Sequence, residues 1–95
     1  MTFCLDSTII KPEDKEKINN AIILLHGYGG DGNDISMISL NWKRHLQNTV
    51  FICPNGHEKC SINPSGFQWF DLTKDDPEYI VKETIKAEKI LNKFI

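Results

Sequence analysis

The chain has 95 residues, 11 Lys+Arg against 13 Asp+Glu and a net charge of −2, which is one domain or part of one. It has no cationic excess, which excludes a sequence-wide phosphate-binding surface and with it a nucleic-acid partner. A 40% hydrophobic and 25% charged composition excludes disorder, and the longest apolar run, Ala21 to Leu25, is far short of the ~20 residues that span a bilayer.

In chain order, Met1-Thr2-Phe3-Cys4-Leu5-Asp6 has no basic region before its apolar stretch, so no secretory signal is expected and the protein is expected to be cytoplasmic. Phe3, Leu5, Ile9 and Ile10 suit one or two short strands before Pro12. The charged run from Lys11 to Lys17 contains that proline and reads as an exposed turn. Asn20-Ala21-Ile22-Ile23-Leu24-Leu25-His26 has no polar alternation, the pattern of a strand buried on both faces of a parallel sheet. The glycine-dense loop from Gly27 to Asp34 follows, and Asn33 or Asp34 can cap the next helix. Ile35, Ile38, Trp42 and Leu46 recur at helical steps and predict its buried stripe.

Thr49-Val50-Phe51-Ile52-Cys53 is a second β-rich run, stopped by Pro54-Asn55-Gly56. Strand, helix and strand at this spacing make a βαβ unit with parallel strands. Residues 54–75 show no period and predict a functional loop of about twenty residues, with an aromatic knot from Phe67 to Leu72. Asp76-Pro77-Glu78 is a strong helix start. Ile80, Thr84, Ala87, Leu91 and Phe94 form that helix's apolar stripe, widened by Val81, Ile90 and Ile95. The three cysteines, Cys4, Cys53 and Cys60, are an odd number at irregular spacing and predict reduced thiols. Cys53, His57 and Cys60 are zinc-type ligands, but a fourth ligand and a tight Cys-x-x-Cys knuckle are missing, so no metal is expected.

Two chemistries compete for the glycine loop. Gly27, Gly29 and Gly32 satisfy G-x-G-x-x-G between a strand and a helix, the context of a dinucleotide-binding turn. Against this, Asp31 puts a negative charge in the loop, His26 and Tyr28 are bulky, and no acid ends the second strand. The other use is an oxyanion hole, where small residues let a carbonyl oxygen reach backbone N–H groups. One such donor is worth ~3–4 kcal/mol of barrier.

Three blocks in order carry a resemblance. They are Leu25-His26-Gly27-Tyr28-Gly29-Gly30-Asp31-Gly32-Asn33-Asp34, Phe51-Ile52-Cys53-Pro54-Asn55-Gly56 and Gly66-Phe67-Gln68-Trp69-Phe70-Asp71-Leu72. Together they resemble the phospholipase/carboxylesterase family of α/β-hydrolases, which includes acyl-protein thioesterases. The resemblance implies an α/β fold class for residues 1–95: the N-terminal part of a single α/β-hydrolase domain. That part would be a parallel-sheet βαβ core with N-terminal strand or strands, stopping before the nucleophile elbow. It implies that the backbone N–H of Tyr28 is one oxyanion donor and that His26, Gly27 and Gly29 shape its turn. Trp69 and Phe70 would lie near the acyl-binding cleft, with core packing open as the alternative, and Asp71 would be a hydrogen-bond acceptor. No cofactor and no metal are implied.

The family's chemistry is acyl transfer through a serine in Gly-x-Ser-x-Gly, with a later histidine and aspartate. None of Ser7, Ser36, Ser39, Ser61 and Ser65 has glycine two positions away on both sides. His26 belongs to the oxyanion turn, His45 to the polar part of a helix and His57 to a loop. The expectation is therefore a chain without a catalytic triad, inactive alone. It would act on carboxylic esters, thioesters or lysophospholipids only when completed by a C-terminal half. Self-association through a bare strand edge and the last helix is expected. A nucleotide-binding βαβ module using Gly27 to Gly32 and a non-catalytic interaction domain are the alternatives.

Overall fold

The computed structural model describes residues 5–13 and 18–95. Phe3, Cys4 and the charged stretch 14–17 lie outside them. Three strands form the main sheet: β1 (Ser7–Ile10), β2 (Asn20–Ile23) and β3 (Thr49–Pro54), in the order β1-β3-β2. β3 is central. It pairs antiparallel with β1, Ile10 opposite Phe51, and parallel with β2, Ile22 opposite Phe51. Its central place explains its burial, since Phe51 and Cys53 are 0% exposed.

The helix α1 (Gly32–Trp42) crosses from β2 to β3 and packs on β1 and β3. The predicted stripe is displaced. The buried residues are Gly32, Ser36 and Ser39, while Ile38, Trp42 and Leu46 are exposed. Close approach is the reason: a Cβ at Gly32 would stand 2.0 Å from the Cys53 carbonyl oxygen, so only small side chains fit beneath the helix. Its N-cap is Asp31, accepting from the Asp34 amide at 2.7 Å, rather than Asn33 or Asp34. Asp34 instead sits in the first turn, where a negative charge meets the positive end of the helix dipole. After the helix, Asn48 at φ 63° takes the left-handed conformation that asparagine tolerates, and its carbonyl accepts the amides of Asn19 and Asn20.

The apolar run of β2 also departs from expectation. Its sequence suits a strand covered on both faces, yet β2 is the outer strand of the described sheet and Leu25 is 46% exposed. The aperiodic stretch from residue 54 contains a small antiparallel pair, β4 (Glu58–Lys59) and β5 (Phe67–Gln68).

The helix α2 (Pro77–Phe94) begins as its sequence requires, with Asp76 accepting from the Glu78 amide at 3.1 Å. Its buried residue is Ala87, and Tyr79, Glu83, Ile90, Leu91 and Phe94 are half-buried. Ile80, Val81 and Thr84, assigned to the inward stripe by periodicity, are exposed. α2 does not pack on the main sheet; Lys86 Nζ on it lies 3.8 Å from Glu58 Oε2 on β4, and the Tyr79 hydroxyl accepts the Asp71 amide at 3.1 Å. The radius of gyration is 14.8 Å, against about 12 Å for a compact chain of this length.

Candidate active site at the carboxyl end of the sheet

Ligands of parallel sheets bind beyond the carboxyl ends of the strands. Residues 26–30 follow β2 at that end, and Asn55 to His57 follow β3. His26 is buried, and its ring explains the local shape. Nε2 accepts the Gly56 amide at 2.8 Å, so the lone pair is there. Nδ1 then carries the hydrogen and donates to the Gly27 carbonyl at 2.6 Å. Trp69 stacks on this ring at 5.2 Å and donates its indole N–H to the His26 carbonyl at 3.1 Å. Both imidazole nitrogens are engaged, so His26 braces the turn and has no nitrogen available as a base.

The Gly27 carbonyl also accepts the Gly30 amide at 3.2 Å. No peptide here is cis, so the Tyr28 N–H points opposite to that carbonyl. Fixing one end of the peptide fixes the other. Gly29 has φ 82°, a conformation that requires glycine. Its amide donates to the Phe67 carbonyl at 3.0 Å, and Phe67 returns a bond to the Gly30 carbonyl at 2.8 Å. Asn63 Nδ2 donates to the Gly29 carbonyl at 2.8 Å. Gly66 lies so close that a Cβ there would stand 2.0 Å from the Gly29 oxygen. Within this braced turn the Tyr28 amide meets no acceptor among the described residues.

The Tyr28 phenol lies 2.9 Å from Ser61 Oγ and donates to Asp71 Oδ1 at 3.2 Å. The same carboxylate oxygen accepts Ser61 Oγ at 3.1 Å, the Thr73 amide at 2.9 Å and Thr73 Oγ1 at 2.6 Å. The Thr73 hydroxyl, then its amide, and then Ser61 and Tyr28 hold the Asp71 carboxyl below its ordinary range against partial desolvation. The Ser61 hydrogen bond pulls the Tyr28 phenol down, but desolvation, Cys60 and the Asp71 charge outweigh it and leave the phenol above its ordinary value.

The half-buried Trp69 is committed to the His26 turn, and Phe70 beside it is half-buried as well. The first turn of α1 offers little to a phosphate. Gly32 N–H already donates to Asn55 Oδ1 at 2.7 Å and Asp34 N–H to Asp31. Among the described residues, the hydrogen bonds of all five serine hydroxyls run to backbone carbonyls, Asn63, Asp71 or Tyr28, and none to a histidine. Cys53 and Cys60 are free and buried, and burial pushes the Cys53 thiol up, away from the reactive thiolate. Among the described residues no three His, Cys, Asp or Glu gather as a metal set, and no helix is long and apolar enough to cross a membrane. A hollow of about 490 Å³ beside Pro12, Leu40, Lys43, Arg44 and Asn48 lies at the other end of the sheet, away from Tyr28.

Sequence reasoning gave no part to the side chains of Asn55 and Asn63. Asn55 and Asn63 work through side-chain amides that bond backbone far along the chain. His57 has both ring nitrogens buried without a partner, Trp69 tilted against it at 6.3 Å and Glu58 4.0 Å away. For Asn55 and Asn63 the available signal was an asparagine inside a turn; His57 was weighed as a zinc-type ligand beside Cys53 and Cys60.

The crystal structure of esterase PE8 superimposes with a TM-score of 0.80 at 28% identity, over 95% of this chain and 42% of the esterase. The sheet, its crossover helix and the carboxyl-end turns are therefore part of an α/β-hydrolase fold. A family model described as Phospholipase/Carboxylesterase matches residues 5–95, and the chain belongs to that family.

Proposed function

We propose that this chain supplies the oxyanion side of an ester-hydrolysing site, with the Tyr28 backbone N–H as donor. The observation that carries the reading is that amide, directed by a Gly27 carbonyl that accepts two hydrogen bonds, and left without an acceptor among the described residues. A preorganised donor costs no reorganisation when negative charge develops on a substrate oxygen. His26, Gly27 and Gly29 shape the turn, and Trp69 and Phe70 border the acyl cleft. The substrate class is carboxylic esters, thioesters or lysophospholipids.

The reaction is acyl transfer through a serine, and none of the five serines here has the required surroundings. The nucleophile, its histidine and its acid come from a C-terminal half, so the 95 residues alone turn over no ester. The outer edge of β2 and the exposed face of α2 are where that half or a second copy packs. Buried free Cys53 and Cys60 suit a reducing, cytoplasmic setting.

The test is hydrolysis of a p-nitrophenyl ester by the chain alone, and again with a polypeptide supplying the rest of a family domain. Turnover is expected only in the combination. Tyr28→Pro, which removes the N–H, should then lower kcat by about 10²–10³. Turnover by the chain alone, with a covalent acyl adduct on one of its own side chains, overturns the reading.

A further inference from the structure

We propose that Asp71 is a positioning residue for the Tyr28 amide, acting through the Tyr28 phenol and tying it to the first turn of α2. The proposal rests on the reading of Tyr28 as oxyanion donor. Hydrogen bonds on the Gly27 carbonyl and the Gly29 amide hold the backbone on either side of Tyr28. Its own φ and ψ lie between those two anchors, and the side chain supplies the third.

The phenol reaches across 43 residues to Asp71 Oδ1, an acceptor shared with Ser61 and with the amide and hydroxyl of Thr73. Four donors on one oxygen fix where the phenol ends, and a rigid ring then fixes the direction of the Tyr28 Cα–Cβ bond. Asp71 is held in turn by its own amide, which donates to the Tyr79 hydroxyl at 3.1 Å. Tyr79 is the third residue of α2, and Lys74 Nζ lies 4.6 Å over its ring. The path from α2 to the turn is thus Tyr79, Asp71, Tyr28, three groups joined by two hydrogen bonds. A carboxylate suits this place because every group around its Oδ1 is a donor, and an anionic acceptor binds donors about twice as strongly as a neutral one. A displacement of α2 is passed to the amide through this path.

The experiment is a double-mutant cycle on the 95-residue chain with Asp71→Asn, Tyr28→Phe and the pair, read by ¹⁵N relaxation and amide exchange. Each single variant should drop the order parameter at position 28 from about 0.85 to below about 0.6. Each should speed Gly29 amide exchange about tenfold while Phe51 and Ile52 keep their protection. The pair should add nothing to either single change. In Asp71→Asn the Tyr28 phenol should also ionise at lower pH than in the parent, seen in its ¹³Cζ shift.

Full order at position 28 in Tyr28→Phe overturns the proposal, as does an Asp71→Asn effect of equal size in the Tyr28→Phe background. Should Asp71→Asn unfold the sheet, Ser61→Ala reads the same path from an exposed position. It should speed Gly29 exchange about threefold in the parent and leave Tyr28→Phe unchanged; the same acceleration in both backgrounds overturns the proposal. These readouts concern the turn alone. If they come out as expected and the completed site hydrolyses no ester, the esterase reading falls and the linkage stands. If esters are hydrolysed and the cycle shows no coupling, the linkage falls by itself.

Discussion

The turn at residues 26–30 and the outer face of α2 are built in opposite ways. The turn is polar and braced from four directions, by Gly56, Trp69, Asn63 and Phe67. The helix face is apolar and bare, with Val81 59% and Ile85 48% exposed. Hydrogen bonds have narrow distance and angle limits, so the turn's geometry is specified within the chain. Apolar burial has no direction, and the α2 face fits any apolar surface laid on it. Under the proposed function the braced turn serves the chemistry and the bare helix face serves assembly.

The sharpest way to break that comparison is to crowd the turn. Gly66→Ala places a methyl against the Gly29 carbonyl, a backbone atom that cannot swing aside. A loss of about 3 kcal/mol is expected in denaturant unfolding, enough to unfold a marginal chain. Gly27→Ala is the control. Its Cβ would meet nothing within 4 Å, and the change should stay within about 0.5 kcal/mol. Equal effects at the two glycines would show that the turn is not tightly specified.

Next in size is His26→Phe, which keeps the stack on Trp69 but leaves the buried Gly56 amide without its acceptor. About 1–3 kcal/mol should be lost. The Gly27 carbonyl loses one of its two donors at the same time, so the Tyr28 amide resonance should move as well. An unchanged Tyr28 resonance would mean that the imidazole stabilises the fold without directing the donor.

On the other side of the comparison, Val81→Lys with Ile85→Lys should alter folding stability by no more than about 0.5 kcal/mol, because both side chains already face solvent. The expected change is in association. Sedimentation should show less concentration dependence than in the parent, since a contiguous apolar strip has been interrupted. A large stability loss would mean that this face is packed within the chain itself.

The two regions also differed in how far the sequence could be read. The strand run Thr49 to Cys53, the Asp76-Pro77 helix start and the glycine turn were legible, because each depends on neighbours a few residues away. The buried side of α1 was misassigned to Ile38, Trp42 and Leu46, since periodicity finds apolar residues but not a backbone approach that admits only Gly32, Ser36 and Ser39. In the site, His26, Gly27 and Gly29 could be picked out from the resemblance and the glycine spacing. The bonds from Asn63 to Gly29 and from Tyr28 to Asp71 span 34 and 43 residues and leave no local pattern. Such bonds depend on tertiary placement, which composition and period do not encode.

The smallest expected effect is in pH dependence, and its sign follows from the two shifted groups. The Asp71 carboxyl is held below 3.8 in the fold, chiefly by the Thr73 hydroxyl and amide. Its contribution is therefore full above the ordinary carboxylate value and lost only as pH falls through the lowered one. The Tyr28 phenol is raised above 10.0, desolvation, Cys60 and Asp71 together outweighing the Ser61 bond that pulls the other way. Its contribution is full below the ordinary phenol value and lost as pH rises through the raised one. The Tyr28–Asp71 bond should thus hold unchanged across the whole neutral range. The Tyr28 amide cross-peak should stay still between about pH 5 and 9 and move only beyond those limits, as the two groups' ordinary values require. Asp71→Asn should abolish the acid limb and leave an alkaline one. Movement inside the neutral range would instead show that the anchor at Asp71 does not govern the donor.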